Sequence, residues 1–250
     1  AVHDSKRLII GLPYVCRYDI AERLREYICD VTAKYGSLRF MVRNYDEIAL
    51  LDSIFTDREG CLYETDYMPY YMNTWADVKN AYRITLSPEL SIQEIKEIMT
   101  GHTGMYEKAG ERGKRSLIVY GYQPSMISAQ CIYKNQTGKC RNSGIHATSI
   151  SFEDNSFRCV QMCEFCTNVI YNSACLDNID LARKLRESGV ECLRIDFTLE
   201  TADRVRKVMN RVKAVFYVNE QDGAVIGYVS VTALLFSDIG YVLIEDYTML

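Results

Sequence analysis

The stretch Arg83-Ile84-Thr85-Leu86-Ser87-Pro88-Glu89-Leu90-Ser91-Ile92-Gln93-Glu94-Ile95-Lys96-Glu97-Ile98-Met99 changes character halfway along. Arg83 to Leu86 is short and mostly apolar, as a buried strand is. Ser91 followed three residues later by Glu94 is the signature of a capping box, in which each side chain bonds the other's backbone N–H. The spacing therefore predicts a helix running through Met99. A strand feeding a capped helix through a short connection is half of a parallel βαβ unit.

The same alternation extends outward in both directions. Upstream, Leu8 to Val15 reads as a strand. Ile20 to Lys34 reads as a helix with apolar positions at Ile20, Leu24 and Ile28. Leu38 to Val42 is a second strand and Glu47 to Ile54 a second helix. Leu62 to Tyr71 is extended, with Pro69 making part of it irregular. Downstream, Ser116 to Tyr120 is a strand, and Asn178 to Ser188 a helix ended by a C′ glycine, Gly189. Val190 to Phe197 is a strand and Thr201 to Val212 a helix. The expected fold is α/β, a TIM-type (β/α) barrel or an incomplete version of one. A doubly wound parallel sheet fits the pattern equally well.

Two segments break the alternation. Residues 123–175 are polar and rich in Cys, Asn, Ser and Gly, too long for a structureless loop inside a compact domain unless something holds them. A metal centre would do so. From Ala214 onward, Val215-Phe216-Tyr217-Val218, the turn Gln221-Asp222-Gly223 and Val225 to Val231 predict a β-hairpin. The expected organisation is a β/α barrel segment (1–122), a cysteine-rich metal-binding insertion (123–176), a final β/α unit (177–213) and a β-rich tail (214–250).

The 250 residues are 48% hydrophobic, enough for a sizeable core. A net charge of −4 gives no support to nucleic-acid binding by simple electrostatics, although a local patch could still hold a folded RNA. No apolar run reaches the ~18 residues a membrane span needs. Residues 1–7 carry no apolar signal-peptide core, so a cytoplasmic location is expected.

Ten cysteines are unevenly placed: Cys131, Cys140, Cys159, Cys163, Cys166 and Cys175 crowd into one segment, with Cys16, Cys29, Cys61 and Cys192 scattered. In a reducing compartment such crowding points to metal or redox use before a disulfide frame. Cys163 and Cys166 form a C-x2-C pair, which can ligate one ion from a single turn. Two more thiolates from Cys131 and Cys140 would complete a four-sulfur site. That set suits an iron–sulfur cluster or zinc by ligand type. Cys159 and Cys175 are spare candidates. The plainer reading is that reduced cysteines serve as small apolar residues.

Only His3, His102 and His146 are present, with no H-E-x-x-H and no G-x-S-x-G, so zincin and α/β-hydrolase chemistry lack support. His102 follows a helix end and could simply face its carbonyls. Glu89 lies between a strand and a helix, and Arg194 and Asp196 lie at the end of another strand. In a barrel those junctions form the face where active sites are built, so Glu89, Arg194 and Asp196 are the candidate catalytic residues. Loop shaping is the competing role. Tyr67, Tyr70 and Tyr71 are candidate pocket walls or simple packing.

Taken in order, several segments resemble peptidase family U32, the collagenase-like proteases. They are Leu12-Pro13-Tyr14 with Arg17, Arg43-Asn44, Ile84 to Leu90 with Glu94, and Val119 to Met126. Then come Ala129-Gln130-Cys131, Gly138-Lys139-Cys140, Cys163-Glu164-Phe165-Cys166, Ile170 to Ser173 and Gly189 to Phe197. The likeness covers roughly residues 7–206. It implies a barrel-type catalytic domain of bacterial or archaeal origin. Some relatives carry a peptidase label, and several hold a four-iron–four-sulfur cluster on four cysteines and hydroxylate RNA bases or quinone precursors without oxygen. By that resemblance Cys131, Cys140 and one of Cys163 and Cys166 are ligands, with the other of that pair or Cys175 as the last.

Three departures stand out. The family's opening barrel segment with its Pro-Ala-Gly turn is not found, so a fragment or truncated copy is expected. Ser116 stands where an acidic residue is usual, and the tail after Arg206 leaves the pattern. The expected activities are a nominal peptidase carrying a cysteine-held metal centre, an iron–sulfur hydroxylase of RNA or a small aromatic, or a non-catalytic scaffold with structural zinc. Expected partners are a peptide or RNA substrate, and another copy of the chain or a missing upstream region, with no membrane.

Overall fold

Short apolar strands, packed on one face against amphipathic helices, set the architecture. A computed structural model describes residues 8–16, 18–36, 38–55, 61–67, 81–101, 114–141, 144–198, 200–217, 228–233 and 243–248. Its strands are β1 (Leu8–Gly11), β2 (Leu38–Val42), β3 (Cys61–Thr65), β4 (Ala81–Leu86), β5 (Lys114–Ser128), β6 (Ile145–Phe152), β7 (Asn155–Met162), β8 (Thr167–Asp177), β9 (Cys192–Phe197), β10 (Tyr228–Ala233) and β11 (Leu243–Thr248). The helices are α1 (Tyr18–Tyr35), α2 (Tyr45–Ile54), α3 (Ile92–Gly101), α4 (Ile132–Thr137), α5 (Ala182–Glu187) and α6 (Ala202–Tyr217).

Strands β1, β2, β3, β4 and β5 pair in that order, all parallel. Strand β5 pairs parallel with β9, and β9 parallel with β10. Strand β11 is antiparallel to both β10 and β1. The result is a mixed, curled eight-stranded sheet whose pairings run in a circuit.

Helices cover its outer face. Leu38, Phe40 and Val42 of β2 pack with Leu24 and Ile28 of α1 and with Ile48 and Leu51 of α2. Leu117, Leu193 and Ile195 pack with Ile95 of α3, Leu185 of α5, and Val208 and Val212 of α6. The pleat then sends Arg39, Met41 and Arg43 to the other face of β2.

Local signals explain the helix starts. Ser91 N–H donates to Glu94 Oε2 at 2.8 Å and Glu94 N–H to Ser91 Oγ at 3.3 Å, the expected capping box. Asn44 caps α2 by accepting from Glu47 N–H at 3.0 Å. Gly189, at φ +97°, ends the segment after α5.

The polar insertion is not a loop awaiting a staple. Beyond Gly121, β5 runs on to Ser128 and pairs antiparallel with β8, β8 with β7, and β7 with β6. Backbone ladders therefore hold residues 145–177, and Val160, Met162, Val169 and Tyr171 give the unit its own small core.

The C-terminal hairpin also differs from expectation. Val215 and Tyr217 belong to α6, because the apolar period of Val205, Val208, Val212 and Val215 continues without a break. Strand β10 joins the curled sheet beside β9, and its antiparallel partner is β11. The residues Gln221 to Gly223, with His3, His102, Pro69, Tyr70 and Tyr71, lie outside the described residues. No helix among the described residues is long and apolar enough to cross a membrane.

Candidate functional site

The ends of β2, β3 and β9 deliver four charged side chains to one place. Asp66, just after β3, accepts from Arg43 Nε at 3.1 Å on one carboxylate oxygen and from Arg194 Nη1 at 2.9 Å on the other. Arg194 grips Asp196 with a two-pronged bond, Nε to Oδ1 at 2.6 Å and Nη2 to Oδ2 at 2.8 Å. Arg43 also donates to the Leu12 carbonyl, and its guanidinium lies 4.2 Å from the Tyr14 ring centre. The backbone N–H of Tyr67 donates to Asp66 Oδ1 at 2.9 Å. All four charges are buried; Asp196 is the most accessible at 8%.

Alternation of sign keeps this row affordable in a dry place, since each buried charge needs a partner and hydrogen bonds. Burial alone would raise the Asp66 carboxyl, but Arg194, Arg43 and the bonds they donate outweigh it and hold it below the usual carboxylate range. Arg194 is likewise desolvated, yet Asp196 and Asp66 keep it firmly protonated. Burial raises the Tyr14 and Tyr67 hydroxyls, so both stay neutral.

A second, largely buried row lies further down β2 and β3 and extends onto β4 and β5. Glu64 sits 3.4 Å from Arg83 and 3.8 Å from Arg39, and Thr85 Oγ1 is 2.9 Å from Ser116 Oγ. Ser116, where an acid was expected from the resemblance, thus bonds a hydroxyl.

Just past the ends of β3 and β9, and on β5 beyond Gly121, several polar atoms are buried without hydrogen-bond partners: Tyr67 Oη, Thr198 Oγ1, Glu200 Oε1 and Gln123 Oε1. An orphaned buried polar atom costs about 1–3 kcal/mol, so each of these atoms is one that a polar ligand or water would satisfy.

Of the three candidates read from the sequence, Arg194 and Asp196 lie in the buried row. Glu89 is exposed in the connection after β4, its N–H donating to Ser87 Oγ at 3.3 Å. Sequence reading missed Asp66, Arg43 as an ionic group, and the pair Glu64 and Arg83. The available signal was charge at alternate positions inside apolar strands: Arg39 and Arg43, Glu64 and Asp66, Arg194 and Asp196.

The cysteines separate into two neighbourhoods. Cys131 caps α4, its Sγ accepting from Lys134 N–H at 3.4 Å. Cys163 opens a 3-10 turn, and Cys166 closes it in the left-handed region at φ +47°, with its N–H on the Cys163 carbonyl at 3.2 Å. Burial raises the Cys163 thiol, and Cys131, Cys140 and Cys166 are close enough for their charges to raise it further, while Arg141 lowers it. Cys175 lies elsewhere: it is opposite Tyr122 on β5, and burial, Glu200 and Asp177 raise its thiol. Burial pushes the Cys159 thiol up to about 11 on β7. No disulfide joins the nine cysteines whose side chains are described.

Cys131, Cys140, Cys163 and Cys166, with the Lys134 N–H already on the Cys131 sulfur, are donors of the kind that zinc or an iron–sulfur cluster takes. Among the described residues, no group of three or more His, Cys, Asp or Glu side chains is drawn together tightly enough to hold a metal ion.

These features define a mixed α/β protein with helices outside a curled sheet, an ionic cluster at its strand ends and a cysteine-bearing antiparallel extension. The family model described as Peptidase family U32 matches residues 65–224, and the chain belongs to that family. No curated protein and no solved structure matches it.

Proposed function

We propose that the chain is the barrel-type catalytic unit of a U32 enzyme whose chemistry depends on a metal centre held by Cys131, Cys140, Cys163 and Cys166. The placement of the four cysteines supports this reading: Cys163 and Cys166 share one 3-10 turn, and the approach to Cys131 is bonded to the strand that follows that turn. An iron–sulfur cluster is the preferred occupant and zinc the alternative, because thiolate donors suit both. Such a centre would supply redox chemistry as a cluster or rigidity as zinc.

The chain's own residues would bind and orient the substrate at the strand ends. Asp196, neutralised by Arg194, offers acceptor oxygens at the most accessible point of the buried row. Tyr67, Gln123, Thr198 and Glu200 offer further unsatisfied polar atoms. The ion pairs of the buried row fix Asp196 and the backbone of Tyr67, the kind of support that preorganised sites require. The pairing circuit of eight strands supports the TIM-type reading, with one strand reversed.

The preferred reading is oxygen-independent hydroxylation of an RNA base or a small aromatic, in which a bound cosubstrate would donate the oxygen atom and itself be reduced by two electrons, rather than self-contained proteolysis. A cysteine peptidase needs a depressed thiol pKa, and burial raises the Cys159, Cys163 and Cys175 thiols. The test is anaerobic purification, metal and sulfide analysis, and assay of both peptide and RNA substrates. Iron, sulfide and a charge-transfer band near ~400 nm are expected. A colourless, metal-free protein that cleaves peptides equally well after Cys131→Ser and Cys163→Ser would overturn it.

A further inference from the structure

The arm from β5 that delivers Cys131 runs past the end of its ladder before it reaches the thiols. Strand β5 pairs with β8 as far as Ser128 opposite Asn168. Ala129, Gln130 and Cys131 follow without a place in that ladder, and Cys131 then starts α4. Something other than strand pairing must set where Cys131 stands.

Asn168 is placed to do so. It lies on β8 two residues after Cys166, it is 2% exposed, and its Nδ2 donates to the Ser128 carbonyl at 3.3 Å and to the Gln130 carbonyl. Both donors of one buried amide are thus spent on the two residues that flank Ala129. Two further bonds hold the turn that carries Cys163 and Cys166. At the start of β8, Thr167 Oγ1 donates to the Phe165 carbonyl at 2.9 Å, and Cys163 N–H donates to the carbonyl of Gly144, just before β6, at 3.0 Å. The start of β8 therefore adjoins the Cys163–Cys166 turn on one side and grips the approach to Cys131 on the other. Because α4 leads through Gly138, at φ +71°, directly toward Cys140, the grip on Gln130 also bears on the fourth thiol.

We infer that Asn168 is a positioning residue for the thiol site: its amide locks the Ser128–Gln130 backbone against β8 and sets the gap between Cys131 and the Cys163–Cys166 turn. This rests on reading the four thiols as one metal site. A carboxamide is required because both contacts are donors to carbonyls. Asn168→Asp keeps the shape but turns an acceptor toward two acceptors, and Asn168→Ala removes the contact altogether.

The test reads the gap and the metal separately. In reduced, metal-free protein, a short two-armed thiol reagent such as dibromobimane should join Cys131 to Cys163 or Cys166, mapped by peptide mass. The yield should fall several-fold in both variants, while far-UV circular dichroism stays unchanged because the β5–β8 and β7–β8 ladders remain. Zinc affinity, measured against a chromophoric chelator, should fall roughly 10- to 100-fold, the usual effect of losing an outer support of a metal ligand. Should Asn168→Asp fail to fold, Asn168→Ala alone decides the matter. Wild-type cross-linking in folded variants, or no such cross-link in the wild type, would overturn the inference. Normal wild-type cross-linking without zinc or iron binding, with the loss in the variants, would support Asn168 and remove the metal reading instead.

Discussion

Gly121 lies directly on Asp196: a Cβ built at Gly121 would stand 2.4 Å from the Asp196 carbonyl oxygen and 2.9 Å from its Cβ. Gly121 has φ +138°, and it sits where β5 leaves the curled sheet and turns to β8. Gly121→Ala should therefore cost about 2–4 kcal/mol, combining a disfavoured φ with overpacking against backbone. Urea unfolding measures it. A loss under 1 kcal/mol would mean that the two backbones separate easily.

Asp66 joins Arg43 to Arg194, and removing it leaves two buried guanidiniums facing each other. Asp66→Asn should cost on the order of 3–5 kcal/mol. Its folded carboxyl titrates below the ordinary range, so its stabilisation is present above about pH 3.9 and is lost as pH falls through the lowered value. Unfolding midpoints of both proteins should converge in strong acid. A constant difference between pH 7 and pH 2 would refute the assignment.

Glu47 predicts the opposite slope. It is fully buried, accepting from Arg43 N–H at 2.6 Å, and its other carboxylate oxygen lacks a partner. Burial outweighs those bonds and moves it from an ordinary value of 4.5 to about 8. Its stabilising effect is therefore complete below pH 4.5 and declines as pH rises to about 8. At about 1.36 kcal/mol per pH unit, the loss is on the order of 5 kcal/mol. Glu47→Gln should flatten this decline, read as unfolding free energy between pH 5 and pH 9. An unchanged slope in the variant would show that the carboxyl ionises freely in the fold.

The two cysteine neighbourhoods should behave differently. Cys163→Ser should lower bound metal in anaerobically prepared protein well below the wild-type level, and Cys175→Ser should leave it unchanged. Equal losses in both variants would place Cys175 among the ligands.

The strand–helix order was legible because it rests on local signals: the Ser91–Glu94 box, the Gly189 stop and the apolar period of α1. Strand β2 falls on Leu38–Val42 as its apolar run predicts. The extent of β5 was not legible, because its outer half draws stability from β8, far away in sequence, and Pro124, Ser125 and an exposed Met126 break the apolar run there. The end of α6 was misread because Val and Tyr favour strands locally while packing on α3 and β9 decides for helix. At the site, Arg194 and Asp196 were visible as charges on a strand end. Asp66 was hidden because its partners come from β2 and β9.

Strand β5 leaves the curled sheet at Gly121 and chain from β8 returns at Asp177, with Tyr122 and Cys175 facing each other across the neck. Entry and exit are therefore already neighbours, and the segment between them behaves as a cassette. An Asn-Gly turn grafted directly between Tyr122 and Cys175 would close a two-residue hairpin there. The shortened chain should keep the Arg43–Asp66–Arg194 row, giving a miniature on which the strand-end chemistry and the sulfur chemistry can be studied apart.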